Sequence, residues 1–270
     1  TEDRPQPPPL RPGDVLALGP LRAMVLRLLA HPRLVALRFE GDVASVWAGI
    51  ARHGKPIQYA HLPSPLALWD VWTRVAALPV AFEPPSAGFV LDWALLSALK
   101  ARGVAFATLT HAAGISSTGD EALDARLPLD EPYDIPSATA QAVLAAKAGG
   151  GRVIALGTTV TRALEHAGAQ GGLRAGSGLA DQRLGPHTRL RIVDAIISGT
   201  HEPGTSHYEL LRAFASDEVL RRAALSMERE GYLTHEFGDT VLIEAAPPLQ
   251  DHRDAGQCRV RRAMEGPVPA

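Results

Sequence analysis

Two stretches of the chain concentrate the residue types that bind anions and move protons. The first runs Gly151-Arg-Val-Ile-Ala-Leu-Gly157-Thr158-Thr159-Val-Thr-Arg162-Ala-Leu-Glu165. Its apolar run reads as a strand, and the two threonines then open a helix. A strand that delivers Gly157 to the carboxyl edge of a sheet puts it where α/β sheets bind ligands. The threonine hydroxyls and the free N–H groups of the first turn would form a cup of donors at a positive helix end. Such a cup suits a carboxylate, a phosphate or a ribose hydroxyl. Arg162 and Glu165 are three residues apart, share a helix face and are expected to pair. Arg162 is also a candidate to bind a carboxylate or phosphate. The same Gly-Thr-Thr reads equally as an ordinary helix cap with a surface ion pair. It is no nucleotide fingerprint, because GxGxxG and GxxxxGKS/T are absent here.

The second stretch is Ser198-Gly199-Thr200-His201-Glu202-Pro203-Gly204-Thr205-Ser206-His207. It follows a predicted strand and precedes a predicted helix. His201 is the leading candidate for a general acid or base, since an imidazole titrates near neutrality. Glu202 would orient it. His201 and His207 are six apart, a spacing that suits neither helix nor strand, so no metal site is expected. The bland alternative is a polar helix cap with Ser206 as N-cap. Pro84-Pro85-Ser86-Ala87-Gly88 is a rigid corner that could bring backbone close to a ligand, with Ser86 and Gly88 as its contacts. In Phe237-Gly238-Asp239, Gly238 and Asp239 are binding candidates, Asp239 for a hydroxyl or an amine; Gly-Asp before a strand is also a common turn. His111 with Ser116-Ser117-Thr118 is a polar patch of low specificity.

The elements that must hold these groups fall into two textures. Thr1–Pro9 reads as a Pro-rich linker. Val15–Leu18, Ala23–Leu29 and Leu34–Phe39 are short strand-like runs, which predict a small barrel or sandwich. Val43–His53 has a helical pattern with Val46, Trp47 and Ile50 on one face. The next thirty or so residues, 57–87, are loop, broken repeatedly by proline. After Gly88, helices and strands alternate. Asp92 would cap a helix to Ala101, and Val104–Leu109 reads as a buried strand. Thr110–Asp134 reads as a polar loop, and Ser137 as the N-cap of a helix to Ala148. Val153–Leu156 is a strand, Val160–Ala167 a helix and Ala169–Gly185 a flexible segment. Arg191–Ile197 is a strand, Ser206–Ala215 and Asp217–Glu230 are helices, and Thr240–Glu244 is a last strand. The alternation predicts an α/β fold: a mainly parallel, helix-covered sheet domain with a smaller β-barrel-like domain. The expected division is 1–55 for the small domain, 56–244 for the α/β domain and 245–270 for a disordered tail.

Composition is that of a globular protein: 270 residues, 46% apolar and 21% charged, with a formal net charge of −2. No global basic field advertises nucleic acid. The single cysteine, Cys258, rules out an internal disulfide and a cysteine-based zinc site, and predicts a reducing compartment, the cytoplasm. No run approaches the ~20 apolar residues of a membrane span, and no signal peptide is visible.

Leu156–Glu165 resembles the strand–helix signature of the S-adenosylmethionine:tRNA ribosyltransferase-isomerase family of queuosine biosynthesis. Pro85-Ser86-Ala87-Gly88 resembles that family's Pro-Thr-Ala-Gly. Val193–Ile197 leading to His201, Pro203, Thr205 and Ser206 resembles its strand-to-helix loop. Phe237-Gly238-Asp239 resembles its Tyr-Gly-Asp, and Glu131, Tyr133 and Ile135 its Glu–Tyr–Ile pattern. The five matches are in order, with agreeing spacing from about Arg11 to Glu244. The resemblance implies an α/β domain with an inserted β-barrel, and S-adenosylmethionine as a substrate, with no other cofactor. It implies transfer of the ribosyl part to a 7-aminomethyl-7-deazaguanine base in tRNA, isomerisation to an epoxycyclopentane, and loss of adenine and methionine. His201 would be the proton-transfer group. Ser86, Gly88, Gly157, Thr158, Thr159, Arg162, Ser206, Gly238 and Asp239 would bind substrate.

The chain departs from the family at several points. Arg126-Leu127-Pro128-Leu129 replaces a histidine-containing run, and Phe89-Val90-Leu91 replaces a stretch that usually carries a histidine. Leu109-Thr110-His111 displaces a histidine by one position. Gly199-Thr200 stands where the family has Asn-Phe. These departures motivate two alternatives: an S-adenosylmethionine-dependent ribosyltransferase or lyase acting on a small molecule, or a non-catalytic S-adenosylmethionine-binding protein. The resemblance also leads one to expect an N-terminal part of the α/β domain before residue 1.

Overall fold

The computed structural model describes residues 8–58, 62, 64–78, 81, 83–116, 118–169, 171–233, 237–245 and 258–261. The leader through Pro7, Pro63 and Pro79 of the Pro-rich loop, Ser117, and most of the expected tail lie outside the described residues. The chain divides into two compact units, Thr1–Pro56 and Ile57–Ala270.

In the first unit, β1 (Val15–Leu18), β2 (Leu21–Leu28) and β3 (Val35–Phe39) form an antiparallel sheet in that order. Alternation along β2 buries Ala23 and Val25. Helix α1 (Val43–His53) is capped by Asp42, whose carboxylate accepts from the Ser45 N–H and hydroxyl. A Cβ at Gly49 would lie 2.6 Å from Leu21 Cδ2, so glycine is what lets α1 approach β2. The expected barrel is not formed by these residues. Three strands are too few to close, and the described sheet is open.

In the second unit, α2 (Trp93–Ala101) starts at its Asp92 cap and stops at Gly103, which takes φ +75°. The predicted strand 104–109 does not form. Its apolar residues find no strand to pair with, and Val104 and Phe106 stay exposed; pairing begins only at β4 (Thr110–His111). The predicted polar loop that follows contains a short helix, α3 (Glu121–Asp124), and β5 (Glu131–Ile135). Helix α4 (Ser137–Ala148) starts one position earlier than expected, with Pro136 at the N-cap and Ser137 as its first residue. There follow β6 (Ile154–Leu156), α5 (Thr158–Ala167), β7 (Gly176–Ala180) and β8 (Ala195–Gly199). The chain continues with α6 (Ser206–Leu211), α7 (Asp217–Arg229), β9 (Thr240–Glu244) and β10 (Cys258–Arg261). Four residues of the expected disordered tail are thus a strand, which pairs antiparallel with β9.

These strands make two sheets, β10-β9-β8-β6 and β4-β5-β7. The fold is mixed α/β, and the expectation of a mainly parallel sheet is corrected. Among the described residues only β6 and β8 run parallel. One crossover helix returns a chain to its starting edge, as α5 does between β6 and β8. Two successive helices, α6 and α7, leave it at the opposite edge, so β9 enters antiparallel to β8. Alternation of helix and strand does not distinguish these cases.

Helix α5 packs against strands of both sheets. Thr158, Thr161, Arg162, Ala163, Leu164 and Glu165 are all buried, so this helix is enclosed rather than half-solvated. Its buried polar groups must therefore find partners. Glu165 does so by accepting from the backbone N–H groups of Arg191, Ile192 and Val193, which fixes the entry to β8. The predicted Arg162–Glu165 pair is absent because each side chain bonds elsewhere. Replacing Glu165 by Ala strands two buried donors, the Ile192 and Val193 N–H groups, and the part-buried one of Arg191. We expect a loss of about 3 kcal/mol and a melting point lower by roughly 5–10 °C. Thermal unfolding checks this, and a change under 1 °C would contradict it.

Candidate active site

β6 and β8 are parallel neighbours, so their carboxyl ends, Leu156 and Gly199, share one edge. β9 starts at that edge with Thr240, opposite Gly199. An open cleft of about 870 Å³, solvent-exposed part included, lies there. Pro84–Ala87, His111, Glu131, Gly157–Thr159, Ser198–His201, Ser206, His207, Phe237 and Gly238 line it. Segments distant in sequence thus converge, and the strand-to-helix turn at Gly157 is among them.

Gly157 takes φ +96°, which a β-carbon would strain, and donates its N–H to Ile197 O at 2.8 Å. The turn is thereby locked to β8 and directs the start of α5 at the cleft. Ser86 and Ala87 reach the cleft from a short 3-10 turn, Ser86–Val90. Gly88 does not line it. A Cβ at Gly88 would meet Val75 Cγ2 at 2.8 Å, so this glycine serves packing. Phe237 has φ +65°, rare for a bulky residue, and stacks edge-on against Phe89 with ring centroids 5.1 Å apart. Gly238 beside it faces the cleft. Asp239 does not line the cleft. It is buried, and its carboxylate accepts from Leu233 N–H at 2.8 Å, so it closes the 233–239 loop.

His201 stands on the loop after β8. Its Nε2 is 3.0 Å from Ser198 Oγ, and its ring is 4.7 Å from that of His207. Ser198, buried on β8, therefore orients the imidazole, and Glu202, which is exposed, does not. Desolvation, and then the neighbouring His207, push the His201 pKa down to about 3. Desolvation, and then the charge of Arg162, hold His207 near 4. Desolvation alone takes His111 to about 4. All three rings are neutral at physiological pH. Ser206 lines the cleft as the first residue of α6, and the N-cap is Thr205, which accepts from Tyr208 N–H.

Arg162 is not free for a ligand. It is 3% exposed, and its Nη1 contacts Glu131 Oε2 at 2.6 Å. It also donates to the carbonyls of Leu129, Ala180 and Gln182. Glu131 accepts in addition from Gly114 N–H at 3.0 Å. Burial raises the Glu131 pKa, and Arg162 opposes that. Sequence reasoning on the residues themselves passed over Glu131, and gave His111 only as part of a polar patch and Ser198 only as the start of the 198–207 stretch. The signal for Glu131 was the alternation Glu-Pro-Tyr-Asp-Ile, which turns residues 131, 133 and 135 inward. No group of three or more metal-ligating side chains occurs among the described residues.

The family model described as Queuosine biosynthesis protein matches residues 5–243. The chain belongs to this family. Its relatives include proteins named S-adenosylmethionine:tRNA ribosyltransferase-isomerase. That of Pelobacter propionicus is 36% identical, over 87% of this chain and 70% of its own length. Those of Thiobacillus denitrificans and Thermosynechococcus vestitus are 33% and 34% identical, over 79% and 87% of this chain. This chain covers 63% and 68% of the latter two. A crystal structure of S-adenosylmethionine tRNA ribosyltransferase from Thermotoga maritima is 20% identical, with a TM-score of 0.49, over 87% of this chain and 66% of that one. No helix among the described residues is long and apolar enough to cross a membrane.

Two predictions follow from this geometry. Arg162→Met leaves the buried Glu131 carboxyl without its partner, whether it stays charged or takes up a proton, and should cost about 3–5 kcal/mol; Arg162→Met with Glu131→Leu should recover part of it. Urea unfolding of both variants checks this, and equal losses would refute it. The three histidines titrate lower in the folded chain than the usual 6.5. Below that pH the unfolded chain therefore binds protons that the folded one does not, and stability falls as pH drops from about 6.5 to 4. The slope should be smaller in His111→Leu; an unchanged slope would show that His111 does not contribute.

Proposed function

We propose that this chain carries the ribosyltransferase-isomerase activity of its family. The ribosyl moiety of S-adenosylmethionine would move to the aminomethyl nitrogen of a 7-aminomethyl-7-deazaguanine base in tRNA. It would become an epoxycyclopentane, with release of adenine and methionine. The family match from residue 5 to 243 supports this reading most directly. Within the chain, the observation that carries it is the neutral imidazole of His201, oriented by Ser198, in a cleft headed by the start of α5.

The sulfonium withdraws electrons from the adjacent ribose C5′, so a base can remove a C5′ proton there. A neutral His201 has the lone pair this needs. Its low pKa in the cleft makes it a weak acceptor. The methionine carboxylate bound nearby would stabilise the imidazolium and strengthen it. The N–H groups and hydroxyls of Thr158 and Thr159 suit that carboxylate. Gly157, Ser86, Ser206 and Gly238 would complete the binding surface. In this reading S-adenosylmethionine is consumed as substrate, and a tRNA acceptor goes with a cytoplasmic location.

Near-neutral charge and the altered run Arg126–Leu129, whose Pro128 lines the cleft, favour a second reading with a small-molecule acceptor. Mass spectrometry of the products formed with and without tRNA bearing the deazaguanine base separates the two. The main reading expects adenine and methionine, with the modified base only when that tRNA is present. His201→Ala should lower turnover about 100-fold or more. Full turnover in that variant would remove His201 from the chemistry.

A further inference from the structure

Two buried polar atoms of the cleft residues have no partner in the protein: Nδ1 of His111 and Oγ1 of Thr200. They come from different sheets. His111 belongs to β4, opposite Tyr133 of β5, and Thr200 follows the last residue of β8. Buried polar atoms are almost always satisfied, and both of these orphans belong to residues that line one cleft, so a ligand that shifts these side chains slightly could supply the partners.

Their chemistry restricts that ligand. A hydroxyl both donates and accepts, and a neutral imidazole nitrogen does one or the other according to tautomer. Burial opposes a charge on His111, and neither of the two orphan atoms bonds to a charged group. A carboxylate can only accept and an ammonium can only donate. A neutral group that does both fits the two atoms best. We propose that His111 and Thr200 are the sugar-binding residues of the cleft and hydrogen-bond the ribose hydroxyls of the substrate nucleoside. This rests on the reading that the cleft takes S-adenosylmethionine.

The test is calorimetric titration of the full chain with S-adenosylmethionine and its 2′-deoxy and 3′-deoxy analogues. Wild type is compared with His111→Phe, Thr200→Val and the hydroxyl-retaining Thr200→Ser. Each of the first two should weaken S-adenosylmethionine binding about tenfold. Each should weaken binding of the analogue lacking its own hydroxyl partner by less than twofold, because that bond is already gone. Thr200→Ser should bind like wild type. A structural role would penalise all three ligands equally, and that result overturns the proposal. Unchanged affinity in both variants also overturns it, while leaving the proposed function standing. A wild-type chain that binds none of the three ligands overturns both.

Discussion

The buried contact between Arg162 and Glu131 is the interaction on which the site depends. It joins α5 to β5, and the carbonyl bonds of Arg162 reach Leu129, just before β5, and Ala180 and Gln182, at the end of the neighbouring β7. Burying a guanidinium and a carboxylate costs more than their attraction returns unless the remaining donors are used. Here they are used. The result is a helix fixed against one sheet by Arg162 and against the entry to the other sheet by Glu165. Both anchors lie within two turns of Gly157, so the strand-to-helix turn has little freedom to move.

That constraint explains the character of the cleft. With α5 fixed, the β6 and β8 ends, the 84–87 corner and the 237–238 turn close around one volume. Burial desolvates its three imidazoles, which keeps them neutral. A site built this way presents lone pairs and hydroxyls instead of positive charge. It suits a cationic sulfonium substrate whose chemistry begins with proton removal. Neither Arg162 nor Asp239 offers a free charged group to a ligand there, since Arg162 bonds Glu131 and three carbonyls and Asp239 holds the Leu233 N–H.

Much of the local structure was legible in the sequence. β1, α1, α2 and β9 begin and end where periodicity, Asp92 and the bounding turns indicate. Local signals act through neighbouring residues, so they read well. Strand direction does not, because it depends on whether one helix or two precedes the next strand. The roles of Arg162 and Asp239 were misread for a related reason. A charged residue near a turn looks available until its distant partners are known, and Glu131 is 31 residues from Arg162. His111 was legible only as a polar residue. Its unpartnered nitrogen appears once β4 pairs with β5.

The central claim is that these separated segments form one S-adenosylmethionine site. Amide hydrogen exchange of the full chain, with and without saturating S-adenosylmethionine, tests it most directly. Exchange should slow together at residues 86–88, 157–160, 198–201 and 237–240, with little change elsewhere. Binding accompanied by protection confined to other segments would contradict it.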